Sequence, residues 1–256
     1  MTRMTTLITL VATLFFLSHS AHAAEAAPEA DTPPKSAIEL GSPFCDNMVL
    51  QRGMEVPVWG WSKPGTKVTV EFAGQKRIAT AGKDGKWVVK LGDLQASFEP
   101  AEMVISENTG EKVVLENILV GEVWMASGQS NMQWTCTKST CNRLKVEPVG
   151  EKKINPIREF EVKSVAAQLH PIERATGAWQ DGGYGNYSAI AFAFAHKLYK
   201  ELNVPIGILN CSWSSTQIEA WVPREGWATA EDEHGKAIHQ KCLQTDPTTP
   251  EHQEAW

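Results

Sequence analysis

The chain lacks any basic run or stripe of the kind that tracks phosphates. Its 256 residues carry 24 Lys and Arg against 30 Asp and Glu, which gives a formal net charge of -6. This acidic balance argues against a nucleic-acid partner. Beyond its N-terminal residues the chain also lacks an apolar run long enough to cross a bilayer. We therefore expect no integral membrane segment once the N-terminus is removed.

Cysteine is scarce, and metal-binding patterns are missing. The 5 cysteines fit an oxidising compartment without forming a disulfide scaffold. No second pair of Cys or His residues stands at ligand spacing, so we expect no metal site. Cys136 and Cys141 lie close in sequence and would either form a disulfide or remain free thiols. Export of the chain would favour the disulfide, which would pin the loop around them.

The N-terminus has the features of a targeting segment. Arg3 supplies positive charge, residues 7–17 form a short apolar core, and Ala21-His22-Ala23 is a small-x-small cleavage signal. Residues 1–23 are therefore predicted to be a signal peptide. Residues 24–35, rich in Ala, Pro and acid, are predicted to be a flexible leader. We expect the mature protein to be exported, to a periplasm or to the extracellular space.

Residues 36–119 have an all-β pattern. Residues 67–72 alternate between apolar and polar side chains, and residues 86–91 form a second strand-like run. Asp84-Gly85 between them is a hairpin signal. Short strands separated by such turns predict an N-terminal β-sandwich domain.

From residue 120 to residue 256 the pattern is that of an α/β domain. Residues 123–126 form an apolar strand, and a helix is predicted from its cap at Ser188 to residue 202, ending at Asn203. Residues 204–209 form a continuous apolar run of the kind found in parallel sheets. Strand, helix and strand in this order predict a parallel sheet.

The segment Gly128-Gln129-Ser130-Asn131 follows the first of these strands. A tight turn would present the Ser130 hydroxyl where a helix begins, which is how several unrelated hydrolases build a nucleophile. The turn contains no G-x-S-x-G elbow, so the α/β-hydrolase pattern does not fit. The alternative is that Ser130 only caps the helix, since serine favours that position.

This segment resembles the first block of the SGNH (GDSL-like) esterases, and with its flanks it resembles the sialate O-acetylesterase family. Residues 43–53 and 56–61 resemble the β-domain that precedes the catalytic domain in that family. The resemblance implies an SGNH-type three-layer parallel sheet, present here in part. It also implies an O-acetylated carbohydrate substrate, which is either acetylated sialic acid or a related acetylated sugar, such as that of a plant or marine polysaccharide. No cofactor is expected, because serine ester hydrolysis needs none.

The second matching block, residues 210–221, follows the second apolar strand. In the family this block carries a Gly-Gly pair, one of which donates its backbone N–H to the oxyanion; here Ser214 and Ser215 stand in those positions. If the loop needs a positive φ, serine would be strained there. The alternative is that these serines cap the next helix. The resemblance makes the Ser130 N–H a second donor, and it places Gln129, Asn131 and Trp213 at the substrate.

The family's later blocks are missing from the sequence. Neither a Gly-Glu-Ser-Asn-like block nor an Asp-x-x-His block, which supplies the base and its orienting acid, is found. His234 and His239 fall in residues 228–244, predicted to be an exposed helix, with Glu231 a surface neighbour of His234. The base and acid are therefore expected to be absent from this chain, which the resemblance indicates is cut short. The alternatives to an esterase are a non-catalytic carbohydrate-binding protein and an inactive truncated remnant.

Overall fold

The computed structural model describes residues 38–164 and 174–244. The predicted signal peptide (1–23), the predicted leader (24–35) and residues 245–256 lie outside the described residues. The described strands are β1 (Glu39–Leu40), β2 (Val49–Gln51), β3 (Val56–Trp61), β4 (Lys67–Phe72), β5 (Gln75–Thr80), β6 (Lys86–Leu91), β7 (Ser97–Glu107), β8 (Lys112–Gly128), β9 (Ile157–Val162), β10 (Gly177–Gln180) and β11 (Ile206–Ser212). The helices are α1 (Ser130–Gln133), α2 (Ala189–Leu202) and α3 (Glu233–Gln244). The fold is mixed α/β.

Two sheets share one apolar core in the N-terminal part. The smaller sheet has the order β1-β3-β6, and the larger has the order β10-β9-β11-β8-β7-β4-β5, with β2 paired to β8. The alternation predicted for β4 and β6 is confirmed, because every second side chain of each strand is buried. Val70, Trp87, Val89 and Ile105 meet in this core. Burying a side chain of this kind contributes about 1.5–3 kcal/mol.

Strand β8 runs through the predicted domain boundary at residue 119/120. Its first half pairs antiparallel with β7. Its second half pairs parallel with β11, from Glu122 opposite Ile206 to Gly128 opposite Ser212. At Gly121, where the pairing changes, a Cβ atom would collide with the carbonyl oxygen of Pro205. A continuous strand thus carries the N-terminal sheet into the parallel sheet.

The parallel sheet is covered on one face by α2. β11 lies between β8 and β9 and is parallel to both. The predicted cap of α2 is confirmed, because Ser188 Oγ accepts a hydrogen bond from the Ala191 N–H. Asn203 ends the helix in the left-handed conformation, as predicted. The second strand begins later than predicted and extends to Ser212, so the start of the second matching block lies within the sheet.

Arg158 in β9 joins the parallel sheet to the N-terminal part. Its guanidinium is fully buried, and it donates to the carbonyl oxygen of Asn47 at 2.9 Å and to Asn117 Oδ1 at 3.0 Å. It also lies 3.5 Å from Asp181 Oδ1. In the described ranges, no helix combines the length and the apolar character needed to span a membrane.

Candidate active site

Ser130 lies at the carboxyl end of β8, as its position after an apolar strand predicts. β8 ends at Gly128, whose φ of 139° is one that L side chains rarely adopt. Gln129 then forms the N-cap, and Ser130 is the first residue of α1. The strand, turn and helix therefore follow one another as predicted. The turn places Ser130 at the edge of the parallel sheet that is formed by the carboxyl ends of its strands.

The Ser130 hydroxyl does not cap the helix. No side-chain cap bond forms at the start of α1. The side chain is exposed, and its Oγ donates only a long hydrogen bond of 3.4 Å to Gln129 Oε1. The first N–H groups of a helix have no partner within it. Ser130 therefore offers a solvent-accessible hydroxyl and a backbone donor side by side.

The second block approaches this turn from β11. The Trp213 N–H donates to the carbonyl oxygen of Gly128 at 3.0 Å. The Ser214 N–H donates to Gln133 Oε1 at 2.7 Å. Ser214, predicted as a candidate oxyanion donor, thus has its N–H already engaged by a side chain of α1 in this conformation. Ser130 and Ser214 nevertheless belong to neighbouring segments, as the resemblance implies.

Ser215 adopts the backbone conformation in which serine is strained. Its φ is 62°, in the left-handed region that glycine occupies without steric cost. The family has glycine in this pair, so the conformation is the one that glycine would accommodate. Neither Ser214 nor Ser215 caps the following 3-10 turn (Ile218–Trp221), whose N-cap is Gln217 and which has no side-chain cap bond.

Polar and aromatic side chains surround the Ser130 turn on its exposed side. Gln129 and Asn131 are exposed on either side of Ser130. Trp134, which follows α1, is 57% exposed, and Trp213 is 38% exposed. Both indoles lie on segments whose backbone is bonded to the turn, through the Trp134 N–H to the Ser130 carbonyl oxygen and through the Trp213 N–H. Flat faces of this kind suit sugar rings.

His234 has a carboxylate partner different from the predicted neighbour, Glu231. His234 Nε2 lies 2.8 Å from Glu219 Oε1, which belongs to the 3-10 turn Ile218–Trp221 of the second block. The hydrogen bond from His234 holds the pKa of Glu219 below its usual value. The helix predicted over 228–244 begins only at Glu233, so Glu231 precedes it. This pairing depends on how the segment between β11 and α3 folds, which sequence spacing does not reveal.

The other described histidines do not complete a catalytic pair with Ser130. His196 Nε2 lies 3.2 Å from the carbonyl oxygen of Lys145. His239 Nδ1 is buried and finds no hydrogen-bond partner within the described ranges. Among residues 38–164 and 174–244, no histidine is hydrogen-bonded to the Ser130 hydroxyl. Turnover therefore requires a base to reach this hydroxyl.

The disulfide predicted between Cys136 and Cys141 is not formed; both residues are free thiols. Cys141 Sγ instead donates to the carbonyl oxygen of Ala189 at 3.1 Å. Burial, followed by the hydrogen bond with Cys141, raises the pKa of Cys136 to about 12. Both cysteines are buried in the loop after α1, and Cys141 joins that loop to the start of α2. The described residues include no group of three or more His, Cys, Asp or Glu placed to hold a metal ion.

Glu159 is the functional candidate that the sequence does not reveal. It lies in β9 and is only 1% exposed. Its carboxylate accepts hydrogen bonds from the Ser188 N–H at 3.1 and 3.2 Å and from Asn210 Nδ2 at 2.9 Å. Burial raises the pKa of Glu159 to about 7. In the sequence, Arg158-Glu159 resembles a solvated charge pair, yet both side chains are buried.

No family model matches the chain. Curated proteins do match: the chain is 30% identical over 223 residues to the sialate O-acetylesterase of Homo sapiens, covering 76% of this chain and 42% of that protein. It is 31% identical over 201 residues to the sialate O-acetylesterase of Rattus norvegicus, covering 71% of this chain and 37% of that protein. The chain therefore spans less than half the length of these relatives.

A solved structure gives the same assignment. A carbohydrate acetylesterase from Xanthomonas citri superposes with a TM-score of 0.66 at 28% identity. The superposition covers 77% of this chain and 45% of that chain. Sequence and fold thus indicate the same group of proteins as the two matching blocks.

Proposed function

Because the chain belongs to the sialate O-acetylesterase family, we propose that it carries the nucleophile of a carbohydrate O-acetylesterase. The observation that carries this proposal is the exposed Ser130 hydroxyl at the carboxyl end of a parallel strand, free of a capping role. The curated relatives are named as sialate O-acetylesterases, and the solved relative as a carbohydrate acetylesterase. The substrate class is an acetyl ester on sialic acid or a related sugar.

In the proposed reaction Ser130 Oγ attacks the acetyl carbonyl carbon while a base takes the hydroxyl proton. The negative charge that develops on the carbonyl oxygen is stabilised by the Ser130 N–H. The bond between the carbonyl carbon and the sugar oxygen then breaks, and the sugar oxygen takes the proton from the base and leaves as a hydroxyl. Water then hydrolyses the acetyl-enzyme and releases acetate. The Ser215 N–H is the candidate second donor, since the Ser214 N–H is engaged by Gln133. Gln129, Asn131 and Trp213 would contact the sugar.

The finer architecture is part of the same proposal. Parallel β9, β11 and β8 with α2 on one face fit one side of an SGNH-type three-layer domain. The two sheets that share a core before it fit an N-terminal β-sandwich. We assign residues 36–119 to the sandwich and residues 120–256 to the N-terminal part of the esterase domain, with β8 continuous between them.

We also propose that the protein is exported, to a periplasm or to the extracellular space. The charged, apolar and small-x-small segments of residues 1–23 support this. N-terminal sequencing of secreted protein should begin at Ala24. A mature N-terminus at Met1 would contradict export through this signal.

A second candidate function is carbohydrate binding without turnover. The exposed indoles of Trp134 and Trp213 beside the turn favour it. So does the lack of a histidine bonded to Ser130 among the described residues. This alternative retains the aromatic surface but needs no base.

The test is acetate release from an O-acetylated sialic acid by the purified chain without residues 1–23. Ser130→Ala is the test variant, and Ser127→Ala is the matched control, because Ser127 is an exposed hydroxyl on the same strand end. Release that requires Ser130 but not Ser127 supports the esterase. Measurable release that is equal in wild type and Ser130→Ala would overturn it. Saturable binding of the sugar without release would support the second candidate.

A further inference from the structure

The carboxyl end of the parallel sheet contains a buried chain of polar side chains. Glu159 accepts from Asn210 Nδ2, and Asn210 Oδ1 in turn accepts from Ser212 Oγ at 2.7 Å. The same carboxylate accepts from the Ser188 N–H at the start of α2. All four residues are less than 9% exposed. The group therefore lies within the protein, at the edge of the sheet from which Ser130 projects.

Both ends of this hydrogen-bonded network of side chains reach the Ser130 turn. On one side Ser212 pairs with Gly128, and the next residue, Trp213, donates to the Gly128 carbonyl oxygen. On the other side Ser188 Oγ donates to Met132 Sδ at 3.4 Å, and Ala189 donates to the Trp134 carbonyl oxygen at 2.7 Å. One branch thus ends just before Ser130 and the other just after it.

Burying Glu159 costs the fold stability, so the contribution of this side chain lies in its hydrogen bonds and not in packing. A carboxylate removed from water is stabilised only by good partners. Glu159 takes part in none of the ion pairs formed within the described ranges. Its hydrogen bonds all come from neutral donors. An apolar side chain at this place would avoid the desolvation cost but would hold neither branch.

We propose that Glu159 is a positioning residue for the Ser130 nucleophile, holding α2 through the Ser188 N–H and β11 through Asn210 so that the turn between them is fixed. The role in catalysis rests on the proposed esterase function; the role in fixing the turn does not. An ionised carboxylate is suited to this task because it only accepts hydrogen bonds. It therefore forces Asn210 to present Nδ2 to it and Oδ1 to Ser212.

The direction of these bonds provides a sharp test. In Glu159→Gln one oxygen becomes an NH2 group, which faces the Ser188 N–H in one orientation and Asn210 Nδ2 in the other. The second conflict is relieved only if the Asn210 amide turns over and donates to Ser212 Oγ, which reverses the bond that Ser212 makes to Asn210 in the wild type. In Asn210→Asp two carboxyl groups face each other. The double variant Glu159→Gln/Asn210→Asp restores a donor facing an acceptor at every contact. The new amide on β9 can donate to the new carboxylate on β11, which still accepts from Ser212 Oγ.

The experiment compares the wild-type chain, the two single variants and the double variant by amide NMR and by acetate release. Each single variant should shift the amide resonances of Ser130 and Asn131 and lower the rate of acetate release about 10- to 100-fold, the size of effect that a small misplacement produces. The double variant should restore both. Glu161→Gln is the matched control, since Glu161 lies on the same strand with an exposed side chain.

Resonances of Ser130 and Asn131 that stay in place while those of Ser188 and Asn210 shift would overturn the proposal. So would a folded double variant that restores neither readout. If the Glu159 variants do not fold, Ser212→Ala keeps the test open. It should shift Gly128 and Ser130, and unchanged resonances there would contradict the β11 branch. Measurable acetate release that is equal in wild type and Ser130→Ala would refute the esterase alone, because the NMR readout needs no turnover.

Discussion

The N-terminal sheets and the parallel sheet are filled in opposite ways. Within the described residues, the buried polar side chains of the N-terminal part are Ser62 and Thr66. The parallel part buries Arg158, Glu159, Ser188, Asn210 and Ser212. The first region gains its stability from apolar burial. In the second, Glu159, Ser188, Asn210 and Ser212 hydrogen-bond to one another near the Ser130 turn, whereas Arg158 binds the N-terminal part.

The exposed apolar side chains differ in the same sense. In the N-terminal part they are aliphatic or Met, namely Met54, Ile78, Val88 and Val114. In the parallel part they include the aromatic residues Trp124, Trp134, Phe194 and Trp213. Single exposed aliphatic residues are ordinary. Trp124 and Phe194 pack against each other with ring centroids 5.2 Å apart, whereas Trp134 and Trp213 lie on the segments bonded to the Ser130 turn. The second pair is the one that fits the proposed contact with a sugar.

The largest expected effect on stability comes from the N-terminal core. Ile105→Ala removes part of a fully buried side chain and should lower the free energy of unfolding by about 2–5 kcal/mol. Ile78→Ala is the matched control, because Ile78 is 64% exposed and its loss should change stability by less than about 0.5 kcal/mol. Urea unfolding of both variants measures this. Equal losses would contradict the assignment of stability to the shared core.

A smaller effect should come from the titration of Glu159. Because its pKa rises from 4.5 to about 7 on folding, the folded chain binds the proton more tightly in this window. Its contribution to stability is therefore fully present below pH 4.5 and is lost as the pH rises to about 7, by roughly 1–3 kcal/mol. Glu159→Gln should remove this part of the pH dependence. Unfolding curves of wild type and variant that keep the same slope over this window would refute it.

The smallest effect should come from Ser215→Gly. Glycine adopts the φ of 62° without the steric cost that serine pays, so the variant should be more stable by about 0.5–1 kcal/mol. Acetate release should not fall. Ser214→Gly is the control, since Ser214 is not among the residues of positive φ and should gain nothing. Thermal melting of the two variants decides between relief of strain and a general effect of glycine.

The sequence predicts the elements whose signals are local. Strands β4 and β6 follow from alternation, and α2 follows from its Ser188 cap and its end at Asn203. The Ser130 turn follows from an apolar strand that ends at glycine. The sequence does not predict the uninterrupted run of β8, because the change of pattern near residue 120 resembles a domain boundary although the same strand continues.

The arrangement of the groups around the site depends on tertiary contacts, so the sequence does not predict it. Glu159 becomes buried only because β9 is covered by α2 and paired with β11. The partner of His234 is Glu219, 15 residues away, rather than the neighbouring Glu231. Cys136 and Cys141 are free thiols rather than the predicted disulfide, and Cys141 donates to the Ala189 carbonyl oxygen, 48 residues away. Sequence spacing fixes none of these contacts.

The most direct test of the central claim measures acetate release and melting temperature on the same samples of wild type and Ser130→Ala. Ser130 is exposed and caps nothing, so its loss should leave the melting temperature within about 1–2 °C, as expected for a surface change of less than about 0.5 kcal/mol. Where the wild-type chain releases acetate above the buffer rate, Ser130→Ala should lower that rate by at least about 10³-fold, as for loss of a serine nucleophile whose base is in place. A variant that melts and turns over like wild type would show that the chemistry does not lie at Ser130.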